Sequence, residues 1–174
     1  KATISLDEVR TLLLNWRPEE SAVDFARRVQ QEGIITKATA TRLRDLVLVL
    51  FKRWFLYPDQ RPAEQLQRLV QYTNDRQILS ELVFLYKARA ILIFRDFVLE
   101  SFWSQYEEGS IYLRIQEVKD YLDHIQESGR TTKPWSKETI ERTARGITGS
   151  LLAAGLLVEE KRYLYAFTHF RPTD

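Results

Sequence analysis

The sequence predicts a mainly α-helical protein with a small β-hairpin near its end. Along most of the 174 residues, apolar side chains recur at three- and four-residue spacing, which is typical of amphipathic helices. After Gly155 the pattern changes, because "LLVEE" and "YLYAFTHF" alternate like strands on either side of Lys161 and Arg162. With 44% hydrophobic residues, the chain is long enough to bury a core in one or two domains.

Six helices are predicted in the first part of the chain, and together they would form an α-helical bundle. Ser5 and Glu8 have the spacing of a capping box, so the first helix starts there and its apolar face ends at Trp16. The second helix follows Pro18, carries the apolar residues Val23, Phe25, Ala26 and Val29, and ends near Gly33. The remaining helices start at Thr36 as a cap and at Pro62, and two more cover 74–90 and 91–106.

The turn-like segment "EEGS", residues 107–110, is the predicted domain boundary. A helix over 111–126, a turn-rich loop and a helix from Ser136 to Gly155 follow it, and the hairpin comes last. This order resembles a winged helix-turn-helix in which one of the usual helices is short or missing. The prediction is an α-helical bundle over 1–107 and a winged-helix-like domain over 111–174.

The helix that starts at Ser136 has an unusual outer face. At about 100° per residue, five residues lie opposite the core position Ile140. A glycine inside a helix costs about 0.5–1 kcal/mol relative to alanine, so two glycines call for a reason such as the close approach of another molecule. Arginines beside them would supply the counter-charge for a phosphate backbone. The five residues are Arg142, Arg145, Gly146, Gly149 and Ala153.

The same helix also allows two other interpretations. Glu138 and Arg142, like Glu141 and Arg145, are i,i+4 pairs with the acid first, an arrangement that stabilises an ordinary solvent-exposed helix. The two glycines would also admit a neighbouring helix. Glu138 lies in the middle of the proposed contact face and disfavours nucleic acid, whereas the segment 130–171 favours it with eight basic and four acidic side chains.

A second group of basic residues lies on the third predicted helix. It comprises Lys37, Arg42, Arg44, Lys52 and Arg53. A solvated helix face is the preferred interpretation of this group. Contact with RNA is the alternative, in which Lys37, Arg42 and Arg44 would carry the binding.

The sequence offers little for catalysis or for a metal. It contains no cysteine, and its histidines, His124 and His169, are not spaced as metal ligands. The glycines form neither a dinucleotide-binding fingerprint nor a P-loop. The longest apolar runs, 46–51 and 90–94, are far shorter than the roughly 20 residues that a membrane helix needs. We therefore expect a cytoplasmic protein that is not an enzyme, with no cofactor, metal, membrane or small-molecule substrate.

Three stretches of the chain are similar to a known family. "ATISLDEVRTLLLNW", "LVFLYKARAILIFRDFVLESFW" and "WSKETIERTARGITGSLLAAGLL" resemble the BrxA family, small accessory proteins of BREX (bacteriophage exclusion) defence systems. The resemblance implies a mostly helical, non-enzymatic protein that binds double-stranded DNA, with a bundle similar to that of bacterial antitermination factors. The family was once labelled as putative inner-membrane proteins, which the short apolar runs contradict.

The resulting hypothesis is a phage-defence factor that binds duplex DNA through its backbone, with little base readout. The alternatives are an adaptor between proteins of the BREX complex and an RNA-binding, antitermination-like factor. For duplex DNA, Arg142 and Arg145 would be the central pair, Gly146 and Gly149 the surface of close approach, Lys161 and Arg162 the wing tip, and Lys133 and Lys137 additional contacts at the helix start.

Overall fold

The computed structural model describes residues 4–36 and 38–169. The chain forms two compact units, Lys1–Ala90 and Ile91–Asp174. In this division residues 91–107 belong to the second unit. The domains inferred from the sequence, a bundle over 1–107 and a winged-helix-like domain over 111–174, stay a prediction.

The first unit is a helical bundle. Ser5 caps the first helix as predicted, since its hydroxyl accepts from the Glu8 amide at 3.2 Å and the Glu8 carboxylate accepts from the Ser5 amide at 2.8 Å. The helices are α1 Leu6–Asn15, α2 Ala22–Gln31, α3 Ala40–Arg44 with its π-helical continuation Asp45–Leu56, α4 Arg61–Tyr72 and α5 Arg76–Ala90.

Aromatic side chains fill the core of this unit. Phe51 packs edge-to-face against Phe25, with ring centroids 5.6 Å apart, and against Phe55 at 5.3 Å. All three side chains are fully buried, and such pairs add to the stabilisation that burial alone provides. One expectation was wrong, because Thr39, not Thr36, caps α3. Val23 on α2 is 55% exposed.

The second unit combines helices with a three-stranded antiparallel sheet in the order β1-β3-β2. Phe94, Phe97 and Phe102, which lie within the helix predicted over 91–106, are buried. The elements are α6 Leu92–Phe97 with its π-helical continuation Val98–Phe102, α7 Trp103–Glu107, β1 Tyr112–Arg114, α8 Ile115–Glu127, α9 Lys137–Ala153, β2 Leu157–Lys161 and β3 Leu164–Phe167.

Strand β1 replaces the start of the helix predicted over 111–126. Leu113 is buried between two exposed neighbours, the alternation expected of a strand with one covered face. β1 pairs with β3, where Leu113 lies opposite Tyr165. Helix α8 then begins at Ile115, and the Glu117 carboxylate accepts a hydrogen bond from the Arg114 amide at 2.6 Å.

Helix α9 and the hairpin follow the sequence prediction closely. Ser136 caps the helix by accepting from the Thr139 amide. Ile140, Ala144, Ile147 and Leu151 are buried on one side of the helix, as expected. Gly155, with a φ of +71°, stops the helix, because side chains rarely adopt that left-handed conformation. The following hairpin turns back between β2 and β3.

Candidate nucleic-acid interface

The outer face of α9 is open, as the spacing predicted. Arg142, Arg145, Gly146 and Gly149 are all exposed. A Cβ atom added at Gly146 or Gly149 would meet no atom within 4 Å. In the described part of the chain, the two glycines therefore leave a shallow strip of helix backbone uncovered, with arginines beside it.

Two arginines from different elements converge on Tyr163. The Arg145 Nη2 group on α9 donates to the Tyr163 hydroxyl at 3.4 Å, and the Arg162 Nη2 group donates to the same oxygen at 3.1 Å. Both guanidinium carbons also lie over the tyrosine ring, 5.8 and 4.9 Å from its centroid. The ring thus holds two cations near one point through cation–π contacts.

The hairpin turn makes this convergence possible. Tyr163 has a φ of 67°, a left-handed conformation that is uncommon for a residue with a side chain. Its carbonyl accepts a hydrogen bond from the Ile115 amide at 3.1 Å, which ties the turn to the start of α8. Tyr163 lies in this turn, whereas Tyr165 lies in β3, where it is buried.

Arg145 is oriented by an acidic neighbour. Its Nε and Nη2 groups donate to the Glu141 carboxylate at 3.0 and 2.8 Å, and Lys119 of α8 pairs with the other oxygen of that carboxylate. Hydrogen bonds from Lys119 and Arg145 lower the pKa of Glu141, and the bond to Glu141 raises the pKa of Arg145. Both shifts favour the charged forms of Glu141 and Arg145.

Arg142 has a different environment from Arg145. The i,i+4 pairing predicted between Glu141 and Arg145 is present, but Glu138 and Arg142 form no ion pair within residues 4–36 and 38–169. Arg142 is exposed and has no hydrogen-bond partner among those residues. Its guanidinium group is available to an incoming anion.

The three lysines proposed as contacts are exposed and are not among the residues that contact Tyr163 through a hydrogen bond or cation–π contact in the described chain. Lys133 lies in the loop before α9, Lys137 is the first residue of that helix, and Lys161 ends β2. In the described chain, none of them has a hydrogen bond or ion pair to Tyr163. The structure thus brings Arg145 and Arg162 together at Tyr163. Lys133, Lys137 and Lys161 are not part of this convergence.

An ion-pair network fixes the loop that leads into α9, and the sequence analysis missed it. Arg130 donates from Nη1 and Nη2 to the two oxygens of Glu100, at 2.8 and 2.7 Å, and to Asp96 at 3.1 Å. Tyr121 donates to Glu100 at 2.8 Å. These partners are about 30 residues from Arg130 in sequence, so no local spacing could have revealed them.

The comparison with known proteins gives one clear result. A family model described as BrxA matches residues 1–166. The chain belongs to the BrxA family. This family is associated with BREX phage defence. No curated protein and no solved structure matches the chain.

The described residues of the second basic group of this BrxA-family chain differ in their contacts. Arg42 is paired with Glu8 at 2.5 Å, and the Arg53 Nε group donates to the Ala90 carbonyl at 3.3 Å. Arg44 and Lys52 are exposed, and Lys37 lies outside the described residues.

Two further properties concern function classes that the sequence had disfavoured. Among the described residues, histidines and carboxylates form no group of three or more that could hold a metal ion. No helix in that part of the chain has both the length and the apolar character required to cross a bilayer.

Proposed function

We propose that this BrxA-family protein is a non-enzymatic factor of BREX phage defence that binds double-stranded DNA through α9 and the tip of the β2–β3 hairpin. The proposal rests on the convergence of Arg145 and Arg162 at Tyr163, beside the open glycine face of α9. Most of the contacts would be made to the phosphate backbone, with little reading of base sequence.

The chemistry of the cluster suits a polyanion. Arginine presents several N–H donors in a planar fork that matches phosphate oxygens. Arg145 uses Nε and Nη2 for Glu141 and Tyr163, so its Nη1 group points to no acceptor among the described residues. Arg142, less than one turn away, is unpaired there. These donors would contact successive phosphates while the glycines let the helix backbone approach the duplex.

The topology supports this proposal. A helix, β1, two further helices and the β2–β3 hairpin follow one another, and the sheet order is β1-β3-β2. A winged helix-turn-helix has this order of elements, and its second helix enters the major groove while the wing contacts the backbone. In that arrangement α9 would be the recognition helix, and Lys133 and Lys137 would lie near its entry into the groove.

RNA binding by the first unit receives less support. That function would need Lys37, Arg42 and Arg44 to act together. Arg42 is engaged with Glu8. We therefore place the nucleic-acid contacts in the second unit.

The test is a comparison of nucleic acids by fluorescence anisotropy. A labelled duplex, its single strands and an RNA of matched sequence would be titrated at about 50 and 200 mM salt. We expect the duplex to bind most tightly, to weaken at the higher salt, and to bind with similar affinity when its sequence is changed. Tighter binding of RNA would contradict the proposal. An absence of DNA binding combined with assembly onto other BREX proteins would favour the adaptor function.

A further inference from the structure

A groove in the first unit runs between α2 and the helix formed by α3 and its π-helical continuation. Its volume is about 420 Å³. The wall residues follow helical spacing on both helices, so each wall is one face of a helix. From α2 the groove is lined by Val23, Ala26, Arg27 and Gln30, and from the other helix by Ala40, Thr41, Arg44 and Leu48.

Four of the eight residues that line this groove are apolar. Among them, Val23 is 55% exposed. Two alanines, Ala26 and Ala40, keep the groove open between Val23 and Leu48. Together these four side chains offer apolar surface of the kind against which an amphipathic helix packs in a groove.

The groove carries positive charge and contains no acid among its lining residues. Each wall contributes one arginine, Arg27 from α2 and Arg44 from the facing helix. Arg27 donates through Nη1 to Asp24 at 2.8 Å, and its side chain is still 62% exposed. Arg44 is exposed and has no ion pair or hydrogen bond among the described residues.

We propose that this groove binds an acidic amphipathic helix of a partner protein. Val23, Leu48 and the alanines would receive the apolar side chains of that helix, spaced three and four residues apart. Arg27 and Arg44 would pair with acidic side chains on its two flanks. From Val23 to Gln30 the α2 wall is about 10 Å long, which matches two helical turns of a partner. A nucleic acid fits less well, because the valine, leucine and alanine side chains offer nothing to phosphates.

This surface is separate from the proposed DNA contacts on α9 and the hairpin. The groove function would therefore persist if DNA binding failed. Loss of DNA binding after changes on α9 would equally leave the groove unaffected. The two proposals can thus succeed or fail independently.

The first test uses designed peptides and the full chain. One labelled peptide of about 18 residues, long enough to be helical, carries leucines on one face and glutamates on its flanks. The second has the same composition in scrambled order, and the third replaces every glutamate with lysine. By fluorescence anisotropy, we expect the acidic amphipathic peptide to bind at least tenfold more tightly than the other two. Equal binding of the acidic and scrambled peptides would overturn the proposal.

Matched variants then locate the binding. Val23→Asp and Arg44→Glu should each weaken the acidic peptide at least fivefold. Val49→Asp and Arg68→Glu make the same changes at exposed positions of the same unit outside the groove lining, and should leave the affinity unchanged. Thermal melting of all four variants checks that each is folded. If Val23→Asp does not fold, the peptide affinity of Arg44→Glu alone tests the proposal. Equal losses in the control variants would contradict the proposal, as would unchanged peptide binding by Val23→Asp and Arg44→Glu.

Discussion

Both units carry several arginines, on α3 in the first and on α9 and the hairpin in the second, but they use them differently. In the first unit, Arg42 turns to Glu8 and Arg44 turns to the groove beside α2. In the second unit, Arg145 and Arg162 come from different elements and meet at Tyr163. Both units thus carry basic residues, but whether two of these side chains meet at one point depends on the tertiary structure.

The acidic partners differ as well. Glu8 is 17% exposed, and the Arg42 side chain that it binds is 36% exposed, so this pair lies partly within the bundle. Glu141 binds Arg145 but leaves that side chain 57% exposed. An acid can thus withdraw a cation from the surface or orient it toward solvent. The second arrangement is the one suited to binding a large anion.

The largest expected effect comes from reversing both arginines of α9. Arg142→Glu with Arg145→Glu should lower duplex affinity about a hundredfold at about 0.1 M salt, because each lost phosphate contact removes one counterion-release contribution. Titration by anisotropy measures the change. The matched control, Arg44→Glu with Arg68→Glu, makes the same charge change at exposed positions in the first unit and should stay within about twofold. An equal loss in both would show that net charge, not this cluster, controls binding.

Filling the open strip should have the next largest effect. Gly149→Leu should weaken duplex binding about tenfold by holding the helix away from the phosphates, and should raise the stability of the protein by up to about 1 kcal/mol. Gly149→Ala is the control, since it brings a similar gain in helix propensity with a much smaller side chain. Unchanged DNA binding by the leucine variant would mean that the strip does not contact DNA. Loss of assembly with other BREX proteins in that variant would indicate a helix-docking face.

A smaller effect of opposite sign is expected at Glu141. Glu141→Gln removes a negative charge that would repel the phosphates beside Arg145, so duplex affinity should rise about threefold. Glu127→Gln removes an exposed acid at the end of α8, outside α9 and the hairpin, and should change affinity much less. A fall in affinity for Glu141→Gln would show instead that orienting Arg145 matters more than the charge of the acid.

The smallest expected effect concerns the network that anchors the loop before α9. Hydrogen bonds from Arg130 and Tyr121 lower the pKa of Glu100 from 4.5 to about 2. Because the pKa is lower in the folded state, Glu100 stabilises the protein above pH 4.5, and that contribution is lost as the pH falls toward about 2. Urea unfolding across this range should show a shallower loss of stability for Glu100→Gln than for the parent. Parallel profiles would contradict this assignment.

Much of the fold could be predicted from local sequence. The capping box at Ser5, the cap at Ser136 and the apolar face of α9 depend on residues within a few positions of one another, and the structure confirms all three. Strand β1 could not be found this way. Its pairing partner β3 lies about 50 residues later, and the spacing of Ile115 and Val118 allowed the helix to be extended backwards over the strand.

The candidate site was predictable only in part. The exposed face of α9 follows from helical spacing, so its arginines and glycines were found from the sequence. The convergence at Tyr163 was not, because it depends on a left-handed turn in the hairpin that no residue type there indicates. Helical spacing shows which residues share a face, but burial depends on what packs against that face.

The salt dependence of duplex binding tests the central claim most directly. If α9 and the hairpin neutralise about four phosphates, the logarithm of the binding constant should fall with the logarithm of salt concentration with a slope of roughly −3 to −4. Arg142→Glu with Arg145→Glu should flatten that slope by about two units, and the loss should be similar on every duplex sequence. A slope near zero in the parent would contradict the account, as would the same slope in parent and variant.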